Sequence, residues 1–178
     1  MHVILYMAQT INGIIATENY SEDFLSDTHW KGFLSLAKKT RCFIVGRKTY
    51  EAVKKWKDYT FDTIKAAKIV VSKNKQFTLS KAYVLAHSPK DALEKAKKLG
   101  FQNVLLAGGG TLNSAFLKKM LIDEIIISVE PCALGKGIKI FSEENVECKL
   151  KLLEITKLKE GIVQLHYDVI KKEFRKKK

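Results

Sequence analysis

A chain of 178 residues with 46% hydrophobic content has the length and apolar share of one domain with a buried core. Its apolar runs fall far short of the roughly 20 residues that a membrane-crossing helix needs, so no membrane partner is expected. The 32 Lys and Arg against 19 Asp and Glu leave a formal charge of +13, yet no aromatic stripe interleaves with the lysines as a single-strand groove requires, so the charge points to small phosphorylated ligands rather than to specific nucleic-acid binding.

Residues 1–8 read as a short strand leading into a polar stretch, without the basic lead, apolar centre and cleavage site of a signal peptide, which places the expected location in the cytoplasm. Residues 3–8 form the strand, Asn12-Gly13 supplies a turn, and residues 14–16 continue extended. After a loop to Leu25, Ser26-Asp27 caps a helix whose Trp30, Phe33, Leu34 and Ala37 recur at helical spacing. An almost wholly apolar strand at 42–45 runs into Gly46-Arg47-Lys48-Thr49 and a short helix through Val53, with further strands at 68–71 and 82–85. Pro89 opens an amphipathic helix carried by Leu93, Ala96 and Leu99 and stopped by Gly100; a strand at 103–107 follows. Gly108-Gly109-Gly110 comes at once, then a helix over 111–121, a strand over 124–129, and a closing hairpin of 150–156 with 162–170 around Glu160-Gly161. One domain over 1–172 is expected, with a basic, disordered tail at 173–178. Cys42, Cys132 and Cys148 have no metal-ligand spacing and are expected as reduced, buried thiols.

This α/β order predicts a mostly parallel twisted sheet with helices on both faces, and ligands beyond the carboxyl ends of its strands. Gly108, Gly109 and Gly110 lie between a strand and a helix, where bare backbone and a helix N-terminus suit a pyrophosphate, although a tight turn alone would also explain them. Gly46, Arg47, Lys48 and Thr49 follow another strand with two cations beside a hydroxyl, and Ser72-Lys73 repeats the pattern after a third. Each has a plain surface explanation, but three such groups at strand ends converge on one anionic edge and favour NADPH over NADH.

The segment Leu106-Ala107-Gly108-Gly109-Gly110-Thr111-Leu112, then Phe116-Leu117, Ile122-Asp123-Glu124-Ile125, Pro131 and Leu134-Gly135-Lys136-Gly137 with Phe141, resembles the C-terminal reductase domain of the riboflavin-biosynthesis deaminase/reductase. Met7-Ala8 with Thr10-Ile11-Asn12-Gly13 is similar to that domain's opening strand and turn, and Val45-Gly46-Arg47-Lys48-Thr49-Tyr50-Glu51 resembles dihydrofolate reductases. The resemblance spans nearly the whole chain. It implies a dihydrofolate reductase-like sheet of about eight strands with a C-terminal antiparallel hairpin, a homodimer, and NADPH as cofactor. It also implies that Ala8, Ile14 and Ile15 border the nicotinamide, Gly46 to Thr49 with Ser72 and Lys73 the adenosine phosphate side, and Gly108 to Thr111 the pyrophosphate.

Two departures bear on chemistry. The riboflavin-type opening turn usually reads Ser-Leu-Asp-Gly, and here Asn12 replaces the carboxylate. Where dihydrofolate reductases place a carboxylate near the start of the first helix, this chain has His29, with Asp27 two residues earlier and about 200° around the helix. The catalytic pocket is expected between Asn12-Gly13, the 26–30 helix start and Gly108-Gly109. Asn12 and Trp30 contact the substrate there, and His29 or Asp27 supplies a proton, since an ordinary histidine pKa near 6.5 suits general-acid work. A ribosylaminopyrimidine phosphate, as in 5-amino-6-(5-phosphoribosylamino)uracil reduction, ranks first as substrate. Dihydrofolate or another pterin ranks second, and a non-catalytic NADPH-binding module third.

Overall fold

In the computed structural model, which describes residues 1–56, 61–142 and 147–171, the first strand sits mid-sheet because both its faces are apolar. Strand β1 (His2–Thr10) sends Val3 and Leu5 into one core and Tyr6 into the other, as side chains alternate across a pleat. The chain continues through β2 (Ile14–Ala16), α1 (Asp27–Thr40), β3 (Cys42–Gly46), α2 (Arg47–Val53), β4 (Ala67–Val71), β5 (Val84–Ala86), α3 (Pro89–Lys98), β6 (Asn103–Leu106) and α4 (Gly110–Leu117). It closes with β7 (Glu124–Glu130), β8 (Ile138–Lys139), β9 (Lys149–Lys157) and β10 (Val163–Ile170).

Among the described residues the main sheet has eight strands in the order β5-β4-β3-β6-β1-β7-β10-β9. It is parallel from β5 to β7, and β10 then pairs antiparallel with β7 and with β9. This is the expected dihydrofolate reductase-like arrangement. Ala92, Ala96, Leu112 and Phe116 of α3 and α4 cover one face, while Phe33 and Ala37 of α1 with Tyr50 and Val53 of α2 cover the other. No helix among the described residues is long and apolar enough to cross a membrane.

Local chemistry accounts for the boundaries. Ser26 caps α1 by accepting the His29 N–H, and Ser88 caps α3 in the same way with Pro89 at its first turn. Several expectations are corrected. β1 runs on to Thr10, which is buried and paired with Glu130. The buried stripe of α1 is Phe33, Ala37 and Thr40, leaving Leu34 36% exposed. The fourth helix stops at Leu117 because Met120 adopts a left-handed φ of 52° and its N–H turns back to the Leu117 carbonyl. β8, not foreseen, pairs with β2. Of the three free cysteines only Cys42 is buried; Cys132 and Cys148 are half-buried. Residue 172 and the expected tail at 173–178 lie outside the described residues.

At the amino ends of β1 and β7, Glu124 ties these two parallel strands to the antiparallel β10. Its two carboxylate oxygens meet the His2 imidazole on β1 at 2.8 Å and the His166 imidazole on β10 at 2.7 Å. Partial burial works against the charge, but the hydrogen bonds from His166 and His2 outweigh it and hold the carboxyl below its ordinary 4.5. A carboxyl depressed on folding stabilises the protein fully above the unfolded value, and that contribution is lost as pH falls through the folded one. Glu124→Gln is therefore expected to cost about 1 kcal/mol at pH 7. Thermal melts from pH 7 to pH 3 should show the gap between variant and parent closing below pH 4.5, the ordinary value; a gap independent of pH contradicts the assignment.

Candidate active site

The carboxyl ends of β3 and β6 come together through backbone alone. The Gly46 N–H donates to the Gly108 carbonyl at 2.7 Å, and the Ala107 N–H to the Ile44 carbonyl at 2.9 Å. Side chains are excluded here for packing reasons. A Cβ on Gly108, whose φ is +82°, would stand 2.9 Å from the Met7 sulfur, one on Gly110 2.2 Å from the Lys139 carbonyl oxygen, and one on Gly109 3.0 Å from Thr49 Oγ1. The two strand-to-helix turns thus lie side by side, and α2 and α4 open from Gly46 and Gly109 with no side-chain cap. Their first N–H groups remain open for an acceptor.

These turns floor a cleft of about 1230 Å³, above the roughly 300–1,000 Å³ typical of a single small-ligand pocket. Among the expected cofactor residues it is lined by Ala8, Ile15, Gly46, Arg47, Lys48, Thr49, Ser72, Lys73, Gly109, Gly110 and Thr111. Ile14 and Gly108 stand behind the wall. Ile14 is buried in β2, and the Gly108 carbonyl is turned to Gly46. Arg47 makes two hydrogen bonds to Glu51, at 2.9 and 3.0 Å, and Lys48 Nζ donates to the Tyr20 hydroxyl at 2.9 Å. Ser72 is buried, its hydroxyl accepting the Asn74 N–H at 3.1 Å.

Among the expected substrate-side residues, Asp27, His29 and Trp30 line the cleft and Asn12 does not. Asn12 instead ties the β1–β2 turn to the loop after β7. Its amide donates to the Leu134 carbonyl at 2.6 Å, and its Oδ1 accepts the Thr10 hydroxyl at 2.8 Å. An amide can both donate and accept at this place, which a carboxylate cannot. Trp30 sits 5.2 Å from Phe33 and 6.4 Å from Trp56, ring centre to ring centre, and Phe33 lies 5.9 Å from Phe61, so these four rings wall one end of the cleft.

His29 is not an exposed helix residue. Its ring stacks on Tyr6 at 4.8 Å with the planes 3° apart, and its Nδ1 is buried with no hydrogen-bond partner among the described residues. Desolvation lowers its pKa from the ordinary 6.5 to about 4, which favours the neutral imidazole near pH 7. Asp27, in the first turn of α1, is exposed. Three groups escaped the sequence reading. Glu22, in the loop before α1, lines the same cleft. Tyr6 backs His29 and donates to its carbonyl at 3.2 Å. Glu130, 2% exposed at the end of β7, accepts the Ser26 hydroxyl at 2.9 Å and so holds the start of α1. Glu22 carried no signal because it stands in an irregular loop, but Glu130 ends a strand of otherwise apolar pattern, which is a signal of a kind.

The RibD C-terminal domain family model matches residues 1–164. The uncharacterized protein YwjB of Bacillus subtilis (strain 168) is 31% identical over 167 residues, covering 92% of this chain and 95% of its own. A protein of Shewanella sp. PV-4 assigned to riboflavin biosynthesis superposes with a TM-score of 0.81 at 23% identity, over 96% of this chain and 100% of that one. RibD of Acinetobacter baumannii superposes with a TM-score of 0.77 at 19% identity, over 96% of this chain and 58% of that one. At such identities the superpositions establish the shared fold.

Within the cleft, Glu22 is displaced in the opposite sense to His29: desolvation raises its pKa from the ordinary 4.5 to about 7. Unfolding lets this carboxyl ionise freely above pH 4.5, so it subtracts stability as pH climbs from there to about 7. Glu22→Gln is accordingly expected to raise stability at pH 8 by about 1–2 kcal/mol, after allowance for partial solvent exposure, and to leave it unchanged at pH 4. Denaturant titrations at the two pH values check this, and equal effects at both contradict it.

Proposed function

The chain belongs to the RibD C-terminal domain family, and we propose that it is an NADPH-dependent reductase of a small nitrogen heterocycle, of ribosylaminopyrimidine type first and pterin second. The observation that carries this reading is the pairing of two uncapped helix starts with Arg47, Lys48 and Lys73 at one end of a cleft whose other end is aromatic. That donor set suits a doubly phosphorylated dinucleotide: open N–H groups at α4 for the pyrophosphate, and cations with the Thr49 and Ser72 hydroxyls for the further phosphate. When bound, NADPH supplies the hydride.

The chain's own residues do the rest. Ala8 and Ile15 line the cleft with small and aliphatic surface where a nicotinamide face is to be accommodated, and the buried walls of Tyr6, Phe33 and Val53 keep water from the reacting carbon. A proton must also reach the substrate. The reading assigns it to the α1 start and the loop before it, where Glu22, Asp27 and His29 all line the cleft. Glu22 is the group that retains a proton near neutral pH, and His29 shapes the wall as a neutral ring.

The sheet edge supports a homodimer. β9 pairs only through β10 within the main sheet and leaves Leu152, Leu153 and Ile155 exposed at 46, 49 and 61%. Light scattering at micromolar concentration should give twice the 20.2 kDa chain mass, and Ile155→Lys should return it to the monomer value.

For the cofactor, calorimetry should show NADPH binding more tightly than NADH. Arg47→Ala should lose about 1–2 kcal/mol of NADPH affinity and little of NADH affinity. Equal affinity for both cofactors, or no binding, overturns the NADPH reading; binding without turnover across a panel of pyrimidines and pterins leaves the non-catalytic module. On the best acceptor, Glu22→Gln should lower turnover about 10²-fold or more while NADPH affinity is kept, and Asp27→Asn should do little. The reverse pattern hands the proton to Asp27.

A further inference from the structure

The order of the strands fixes which way a dinucleotide can lie on the sheet. Its parallel part runs β5-β4-β3-β6-β1-β7, with the paired open helix starts after β3 and β6 and Ala8 on β1. A pyrophosphate at the helix starts, with the nicotinamide half toward Ala8, leaves the carboxyl ends of β4 and β5 to the adenosine half. Neighbouring strands are about 4.8 Å apart, so the end of β5 stands roughly 10 Å from that of β3, a separation that an adenosine ribose and its 2′ substituent can bridge.

The residue that follows β5 is His87, which lines the cleft with Ser72 and Lys73. Its ring is fixed by the neighbouring strand. The Ser72 N–H donates to the Ala86 carbonyl at 2.9 Å, and the His87 Nδ1 lies 3.0 Å from the Ser72 carbonyl oxygen. A carbonyl oxygen can only accept, so Nδ1 carries the hydrogen and the tautomer is decided. While the ring is neutral, Nε2 is therefore a bare acceptor; once the ring is protonated, Nε2 becomes a charged N–H donor. The two states treat the group on the ribose 2′ carbon in opposite ways. A phosphate offers acceptor oxygens, which a bare Nε2 opposes and an imidazolium binds with a charge-assisted hydrogen bond, whereas a hydroxyl can donate to the bare nitrogen. The charged groups nearest His87 are Asp91, whose carboxylate accepts the His87 N–H at 2.8 Å, Lys95, paired with Asp91 at 3.0 Å, and Lys73 after β4. The other cations lining the cleft among the described residues are Arg47, shared with Glu51, Lys48, held by Tyr20, and Lys118 and Lys119 after α4.

We propose that His87 selects the cofactor through its own proton. As an imidazolium it donates from Nε2 to the 2′-phosphate of NADPH, with Lys73 as its neighbour; as a neutral ring it withdraws that donor and accepts from the 2′-hydroxyl of NADH. Histidine changes charge between about pH 5 and 8, so the preference for the phosphorylated cofactor grows as pH falls through that range. This rests on the NADPH reading of the cleft and adds to it the residue that makes the choice depend on pH.

The test is calorimetric titration of the full chain with NADP⁺ and with NAD⁺ at about pH 6 and about pH 8.5, on either side of histidine's ordinary range. The parent is compared with His87→Gln, which removes the titrating ring, and with His87→Lys, which keeps a charged donor at both pH values. The 2′-phosphate takes up a proton of its own near pH 6, but it does so with every variant, so the ratio of parent to variant affinity is what is read. Against His87→Gln that ratio for NADP⁺ is expected to be about five- to tenfold at the lower pH and near one at the higher, with no such rise for NAD⁺. His87→Lys should bind NADP⁺ more tightly than His87→Gln at both. A ratio that does not change with pH overturns the proposal and, with NADP⁺ still bound more tightly than NAD⁺, leaves the NADPH reading intact. Equal affinity for the two dinucleotides at both pH values, or no binding of either, overturns both. The expected pH-dependent ratio without NADPH oxidation on any pyrimidine or pterin sustains the selector and overturns the reductase.

Discussion

The hydrogen bond from the Gly46 N–H to the Gly108 carbonyl, 2.7 Å long, sets the geometry on which the cleft depends. It joins the ends of two parallel strands by backbone, beside a turn where a Cβ on Gly108, Gly109 or Gly110 would meet Met7, Thr49 or Lys139. Two consequences follow from that one closure. The helices after these strands begin beside each other, and both begin uncapped, so their open N–H groups and the positive ends of their dipoles face the same space. An anion is then favoured there before any lysine is counted. The cations of α2 and the β4 turn add to a site that the backbone has already made.

The opposite end of the cleft obeys a different rule, in which water is the scarce component. The rings of Trp30, Phe33, Trp56 and Phe61 exclude it, and desolvated ionisable groups of the cleft respond according to the sign of their charged form. His29 loses its proton more readily, and Glu22 holds its proton more firmly, for the same reason.

Positioning is delegated to residues that never reach the cleft. Glu130 lies buried at the end of β7 and accepts a hydrogen bond from the Ser26 hydroxyl, whose oxygen in turn accepts the His29 N–H. The start of α1, and with it Trp30 and His29, is thereby referred to the central sheet rather than to the loop that precedes it. Asn12 plays the corresponding part for the β1–β2 turn, clasping the loop at Leu134. The departure from the riboflavin-type turn at this position is thus a change in how a loop is held.

Strand and helix identities were legible in the sequence because they rest on periodicity and on caps, both local. The apolar run at 42–45, the Ser26 cap, Pro89 at a first turn and the glycines after two strands each specify their neighbourhood without help from distant residues. The same holds for the cationic edge, since Arg47, Lys48 and Lys73 follow strand ends and a parallel sheet brings such ends together. What the tertiary structure alone decided is the state of the side chains at the other end. Whether His29 is exposed or stacked on Tyr6, whether Asn12 touches ligand or loop, and whether Glu22 is solvated or buried depend on residues more than twenty positions away or in another element. Desolvation is a property of a whole surrounding volume, and no spacing along the chain encodes it.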